Sequence, residues 1–417
     1  MIELKEEPEK VILVGVLTDK TTEEELNASI DELEDLAKTA GAVCVGKVIQ
    51  NRQKIHNATY IGKGKLQELK AMVNALNVDS IICDDELSPT QITNISDETG
   101  VKVIDRTVLI LDIFAQHAKS QEGKLQVELA QLNYNSSHLT GSYRKMSRLG
   151  GGIGTRGPGE QKIEQDRRII RNKINIIKKE IEKQDKNRDN IRKKRVKDLI
   201  PVVAIVGYTN AGKSTLLNYL TDAGVLSQDK LFATLDPTTR KYTYEDGEEI
   251  LFTDTVGFVN KLPHHLVSAF KSTLMEAKYA DLVLHVVDAS LENVDRQMKT
   301  VYETLANLGI RYDNAVTVFN KIDKLSEEDR EMDKTGFDLK HVARISAKTG
   351  EGVDEMLDII RNIFKERSVL VDTILPYSDA SKVQILRERG RLISEEYVGE
   401  GIKVKGHIPK ELEYLFK

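Results

Sequence analysis

Gly207-Tyr208-Thr209-Asn210-Ala211-Gly212-Lys213-Ser214 sets two glycines, a lysine and a hydroxyl at the G-x-x-x-x-G-K-S spacing that suits phosphate chemistry. An apolar run, residues 200–206, precedes it, and a helical stretch, residues 215–219, follows. The predicted context is strand, loop, helix. A triphosphate is a dense cluster of negative charge, which backbone N–H groups, a helix N-terminus and one ammonium can meet together. Glycine is needed where backbone must approach the phosphates closely. Lys213 is expected to reach the β- and γ-phosphates, and Ser214 to ligate Mg²⁺. Residues Gly207 to Ser214, with Thr215, form the candidate phosphate cradle.

Further residues narrow the base. Asp254-Thr255-Val256-Gly257 follows the strand-like run 250–253. An acid ending a buried strand, then a glycine, suits a carboxylate behind Mg²⁺ and a sensor of the γ-phosphate. Asn320-Lys321-Ile322-Asp323 follows the strand-like run 315–319. The Asp323 carboxylate can accept from guanine N1–H and N2–H₂ together, which adenine does not offer, so a site built for those bonds rejects the wrong base. Ser346-Ala347-Lys348 follows a short strand, residues 341–345, and resembles the last guanine-contacting loop of Ras-like GTPases. The order of these motifs excludes the circularly permuted GTPases. The substrate is read as GTP, the product as GDP, with Mg²⁺.

Between the P-loop and Asp254 lies a switch-like segment containing Phe232-Ala233-Thr234-Leu235-Asp236. A threonine here is expected to ligate Mg²⁺ when GTP is bound. Thr234, Thr238 and Thr239 compete; Thr234 is favoured because Phe-x-Thr-Leu resembles the switch of Obg/HflX-type GTPases. Lys213, Thr234, Asp254 and Gly257 are the candidate catalytic residues, and Ser214 and Thr234 the candidate metal ligands. Two positions depart from the Ras pattern. Phe258 stands where a glutamine would orient the attacking water. Hydrolysis is therefore expected to be slow until a partner, a cation or another residue completes the site. Asn210 can either hold K⁺ near the phosphates as a charge stabiliser or simply support the loop.

The chain has 417 residues, 40% of them hydrophobic and 30% charged, with a net charge of −5. That length suits about two to four domains, and that charge excludes a generic nucleic-acid binder. Cys44 and Cys83 read as buried free thiols in a reducing cytosol. No run approaches the ~20 apolar residues of a membrane span, and no signal peptide is evident. A cytoplasmic protein is expected.

These motifs need elements to carry them. Residues 1–115 alternate strand and helix signals, predicting a small α/β domain with a mostly parallel sheet. Thr21 or Thr22 would cap its first helix. Gly62-Lys63-Gly64-Lys65 is a basic turn at a helix start without P-loop spacing. From residue 116 the period changes. Leu125, Leu129, Leu132, Ser136, Leu139, Tyr143 and Met146 are spaced 4, 3, 4, 3, 4, 3, a heptad seam, and Ile163, Ile170, Ile174, Ile177 and Ile181 continue it. Residues 116–198 are thus predicted to form an antiparallel helical hairpin, an arm of roughly 40 Å, with a glycine-rich tip at 149–159. Gly152 to Gly157 matches G-x-G-x-x-G, but a helix precedes it rather than a strand, so the dinucleotide reading is rejected. Residues 162–197 hold fifteen Lys/Arg against six Asp/Glu, a balance of +9 in an otherwise acidic chain. That suits RNA, with Arg144, Lys145, Arg148, Arg156 and Lys162 as candidate contacts around the tip; the alternative is a solvated coiled-coil face. Residues 199–367 form the predicted Ras-like P-loop domain, and 368–417 a small α+β domain. The fold class is multidomain α/β.

Residues 103–107, 111–116, 122–132, 151–154, 156–160 and 166–168, with the P-loop and switch, resemble the HflX GTPases nearly end to end. The resemblance implies binding to the large (50S) ribosomal subunit and its ribosomal RNA, splitting of stalled or idle 70S ribosomes, and hydrolysis stimulated by the ribosome. It implies a monomer off the ribosome. A GTPase acting in RNA modification, or a switch acting on a protein partner, is the alternative.

Overall fold

The computed structural model describes residues 8–142, 158–198, 200–221, 231–232, 234–261, 276–291, 294–310, 315–331 and 335–416. The chain divides into two compact bodies. One comprises residues 1–183, 228–236 and 257–273, the other 184–227, 237–256 and 274–417.

The first body is built on β1 (Lys10–Leu17), α1 (Glu23–Thr39), β2 (Val43–Asn51), α2 (Lys63–Leu76), β3 (Ser80–Cys83), α3 (Pro89–Thr99), β4 (Lys102–Asp105) and α4 (Arg106–His117). The strands form one parallel sheet in the order β2-β1-β3-β4, as the alternating signals predict. Thr22, not Thr21, caps α1: its side chain accepts from Glu25 N while the Glu25 carboxylate accepts from Thr22 N, closing a capping box. Ser88 and Gln91 do the same for α3. Cys83 is buried as expected; Cys44 is only half-buried, because it lies on the edge strand β2.

Arg106 is among the most buried side chains of this body. Its guanidinium meets Asp84 at 2.6 Å and Glu32 at 2.8 Å, and donates to Ser29 O. Burial alone would raise the Asp84 carboxyl, but Arg106 and Lys261 beside it hold it below the usual carboxylate range. A buried charge persists only with such partners.

Helix α5 (Gln121–Ser142) departs from the heptad reading. Of the predicted seam, Leu129 is buried and Leu125, Leu132, Ser136 and Leu139 are half-buried, but Gln126, Val127, Ala130 and Tyr134, which lie off the seam, are buried too. The reason is packing: α5 lies against α3 and α4, and the Tyr134 hydroxyl donates to Asp105 at 3.1 Å. Helix α6 (Pro158–Asp198) has 41 residues, about 60 Å at 1.5 Å each. Its seam does follow the heptad. Ile177 is buried and Ile163, Ile170, Ile174 and Ile181 are half-buried, while Ile169 and Ile176 are exposed. Tyr143, Met146, Arg144, Lys145, Arg148, Arg156 and most of the 149–159 tip lie outside the described residues, as does the Lys162 side chain. No helix among the described residues is long and apolar enough to cross a membrane.

The second body carries β5 (Val202–Gly207), α7 (Lys213–Thr221), β6 (Thr238–Thr243), β7 (Glu249–Asp254), β8 (Leu282–Asp288), α8 (Val294–Asn307), β9 (Val316–Asn320), β10 (His341–Arg344) and α9 (Val353–Glu366). Six strands form one sheet in the order β10-β9-β8-β5-β7-β6, parallel except for β6. Being covered on both faces, its central strands are continuous apolar runs rather than alternating ones; every residue of β8 is buried. β11 (Ser368–Leu375), α10 (Ala380–Arg389), β12 (Arg391–Val398) and β13 (Gly401–Pro409) complete the body as an antiparallel three-stranded sheet, β11-β13-β12, with α10 packed on it. This is the α+β tail that the sequence pattern predicts, with β12 beginning five residues earlier than the apolar signal at Glu396.

Candidate nucleotide site

β5 ends at Gly207 and α7 begins at Lys213, so the P-loop spans the turn between a buried strand and a helix N-terminus. Gly207 and Gly212 have positive φ, 153° and 96°. A Cβ on Gly207 would collide with Val286 O, and one on Gly212 with Asn320 Nδ2. Both positions demand glycine on steric grounds. Asn210 sits at φ 60°, a left-handed conformation in which asparagine is enriched. Backbone geometry alone therefore suffices to favour asparagine there.

Lys213 is buried, and its Nζ donates to Tyr208 O at 2.7 Å. It makes no ion pair among the described residues, and burial pulls its pKa down to about 8, with Asp254 partly opposing. A buried ammonium that no carboxylate pairs directly is what an incoming phosphate satisfies. The buried Thr209 Oγ1 likewise has no hydrogen-bond partner among the described residues. The Ser214 hydroxyl donates to Asp254 Oδ2 at 2.7 Å. These residues fit Mg²⁺: Ser214 would hold the ion, with Asp254 orienting that hydroxyl, and the metal when bound neutralises charge on the phosphates. Thr255 donates through its hydroxyl to Ile205 O at 2.7 Å, fixing β7 beside β5. Beneath the loop, His285 is pulled down to about 3 by burial and by the Lys213 charge, and so stays neutral.

The candidate base-reading residues converge. Asn320 Nδ2 donates to Ala211 O at 2.8 Å, and Ala347 N donates to Asn320 Oδ1 at 2.9 Å, so Asn320 links the P-loop to the Ser346-Ala347-Lys348 loop. The Ser346 hydroxyl donates to Asp323 Oδ1 at 2.7 Å. Lys321, at φ 67°, pairs with Asp288 at 2.7 Å. Sequence reasoning passed over Asp288. Its signal was the same as that of Asp254, an acid ending a buried strand.

The switch residues belong to the other body. Thr234 and Leu235 are buried, and Ala233 lies outside the described residues. Phe232, at φ 56°, meets Phe114 edge-on with ring centroids 4.5 Å apart. Asp236, expected at the nucleotide, receives N–H bonds from Lys119 and Ser120 at 3.0 and 2.7 Å. Val256 ends one segment of the second body and Gly257 begins a segment of the first. Beyond it, Asn260 N donates to Glu32 at 3.2 Å, and Lys261 pairs with Asp84 and, at 2.7 Å, with Asp85. Thr238 and Thr239 are strand residues of β6, and the Thr239 and Thr253 hydroxyls lie 2.9 Å apart.

Three family models match along the chain: a GTP-binding GTPase N-terminal region over residues 27–115, a GTP-binding GTPase middle region over 117–195, and a 50S ribosome-binding GTPase over 202–321. A GTPase HflX of Lacrimispora saccharolytica is 54% identical over 412 residues, covering 99% of this chain and 96% of that protein. The chain belongs to the HflX family of GTPases. A GTPase HflX of Caldanaerobacter subterraneus is 50% identical over 99% of this chain and 94% of its own length, and one of Escherichia coli is 40% identical over 84% and 82%. As an HflX-family GTPase the protein binds GTP and hydrolyses it to GDP and phosphate. A buried ammonium beside a turn of backbone N–H groups suits a transferring phosphoryl group, which fixed positive charge and donors of this kind stabilise.

Proposed function

We propose that this GTPase acts in the cytoplasm on the large ribosomal subunit, separating stalled or idle 70S particles, and is a monomer off the ribosome. The observation that carries the reading is charge placement. Helix α6 concentrates a balance of +9 over residues 162–197 in a chain of net charge −5, next to a domain matching a 50S ribosome-binding GTPase model. A long basic helix meets a polyphosphate surface favourably. In this reading Arg144, Lys145, Arg148, Arg156 and Lys162 touch ribosomal RNA at the arm's tip, and the arm is the 116–198 hairpin.

Phe258 supports the dependence on a partner. It is buried and apolar, and cannot orient water as a glutamine would. In this reading Thr234 is the Mg²⁺ ligand of the switch, which the placement of Thr238 and Thr239 within β6 supports. Turnover measured with purified 30S, 50S and 70S particles tests the proposal. Acceleration of tenfold or more is expected only with particles containing the large subunit, on the scale seen when a partner completes a GTPase site. Equal rates with and without all three particles would exclude it.

K⁺ at Asn210 is the second element of the reading, as a charge stabiliser near the phosphates. Turnover in KCl should then exceed that in NaCl at equal ionic strength. Matching rates would leave Asn210 with its backbone role alone.

A further inference from the structure

The first turn of α5 is held from outside. Ser120 precedes the helix and caps it: Gly123 N donates to Ser120 Oγ at 2.9 Å. That same hydroxyl donates in turn to Asp236 Oδ1, while Ser120 N and Lys119 N donate to Asp236 Oδ2 at 2.7 and 3.0 Å. A carboxylate at this point also faces the positive end of the helix dipole. The acceptor lies more than a hundred residues away in sequence, only two residues after Thr234. The fit is tight on the helix side as well. A Cβ added at Gly123 would collide with Asp236 Oδ1 and approach Ser120 Oγ to 3.1 Å. Glycine normally weakens a helix relative to alanine, so its place here needs a reason, and the carboxylate supplies one. Leu231 N donating to Thr39 Oγ1 at 3.3 Å and the Phe232–Phe114 contact fix the other end of the same segment.

We infer that Asp236 is a positioning residue that fastens the switch segment to the first turn of α5, so that ordering of Thr234 by GTP and seating of the α5 helix are one equilibrium. Binding free energy spent on the switch then appears at α5, and by reciprocity anything that moves α5 changes the preference of the site for GTP over GDP. The inference rests on the reading of Thr234 as the residue that responds to the γ-phosphate.

Amide hydrogen exchange on the full-length protein tests it, at Lys119, Ser120 and Gly123, with GDP and with a non-hydrolysable GTP analogue. In the wild type, protection at these amides should differ between the two nucleotides by about tenfold or more, the scale of one charge-assisted hydrogen bond. Gly123→Ala, which displaces the carboxylate from the helix side, and Asp236→Ala should both reduce that difference below about twofold. Asp236→Asn, which keeps an acceptor oxygen, should restore part of it. Two different variants guard against a simple folding defect, and a merely structural cap would lower protection equally with both nucleotides. An unchanged nucleotide-dependent difference in both Gly123→Ala and Asp236→Ala would overturn the inference. A wild type that binds both nucleotides yet shows no difference would overturn it as well, while leaving the nucleotide site intact. Failure of the wild type to bind the GTP analogue would instead remove the site reading, and the inference with it.

Discussion

Lys213→Ala will weaken GTP binding by about 10²- to 10³-fold, the equivalent of the 3–5 kcal/mol typical when one partner of a buried charge pair is removed. The effect is large because of where this ammonium lies. It is buried, it hydrogen-bonds one carbonyl, and it has no ion pair among the described residues. The nucleotide-free protein therefore bears the cost of a desolvated cation, which the phosphates relieve. The cost shows in the pKa, pulled from 10.5 to about 8 by burial. That displacement corresponds to about 3 kcal/mol. Because the folded value lies below the unfolded one, the penalty is present in full below about pH 8 and is relieved as pH rises toward 10.5. The nucleotide-free protein should thus gain stability with rising pH across that window. GTP binding should run the other way. Below pH 8 the ammonium is already charged. Above it the free protein has lost the proton and must regain it to meet the phosphates, so affinity falls by up to about tenfold per pH unit. Titration calorimetry between pH 7 and 9 reads both the Lys213→Ala loss and the slope. An affinity flat across that range would contradict the account of Lys213.

The parts of this architecture that a ligand dictates were legible in the sequence. Gly207, Gly212, Lys213, Asn320 and Asp323 stood out because phosphate and guanine chemistry would leave few substitutes at that spacing, and the structure brings them to the ends of strands of one sheet. The βαβ rhythm of the first 115 residues was legible for a similar reason, since burial on two faces and capping at Thr22 and Ser88 leave local marks. What was not legible depends on partners remote in sequence. Asp236 was read with the nucleotide residues because of its place in the switch-like segment; its carboxylate holds the capping residue Ser120 of a helix that begins more than a hundred residues earlier. Arg106 is a charge that hydrophobic periodicity cannot assign to an interior, and it is there because Asp84 and Glu32 meet it. The α5 seam is only part of that helix's buried face, because α5 also packs on α3 and α4, whose demands widen it. The α6 seam, by contrast, kept its simple period. Asn210 carried two readings, and its left-handed backbone answers the conformational one.

Asp323→Asn should exchange the substrate rather than merely damage the site. If Asp323 reads the base, its carboxylate accepts two hydrogen bonds from the guanine edge, at N1–H and the 2-amino group. Its other commitment is to the Ser346 hydroxyl, which donates to Oδ1 at 2.7 Å; a carboxylate has acceptor capacity to spare, so both oxygens can still face the base. An asparagine at 323 presents one acceptor and one NH₂ donor. Against guanine, that donor faces another amino group, so one favourable bond becomes a donor–donor clash and the loss is large. Sites built on polar readout of this kind discriminate by about 10⁴–10⁵ when the pattern is broken. Xanthine differs from guanine by a carbonyl in place of the 2-amino group, and that carbonyl accepts from the new amide. GTP affinity and turnover should fall by at least about 10³-fold while XTP binding rises toward the wild-type value for GTP. The fold should be little affected, since Asn320 still links Ala211 to Ala347 and Lys321 still meets Asp288. Competition between GTP and XTP in a fluorescent-nucleotide displacement assay decides the matter. A variant that loses GTP without gaining XTP would mean that Asp323 supports the Ser346 loop rather than reading the base.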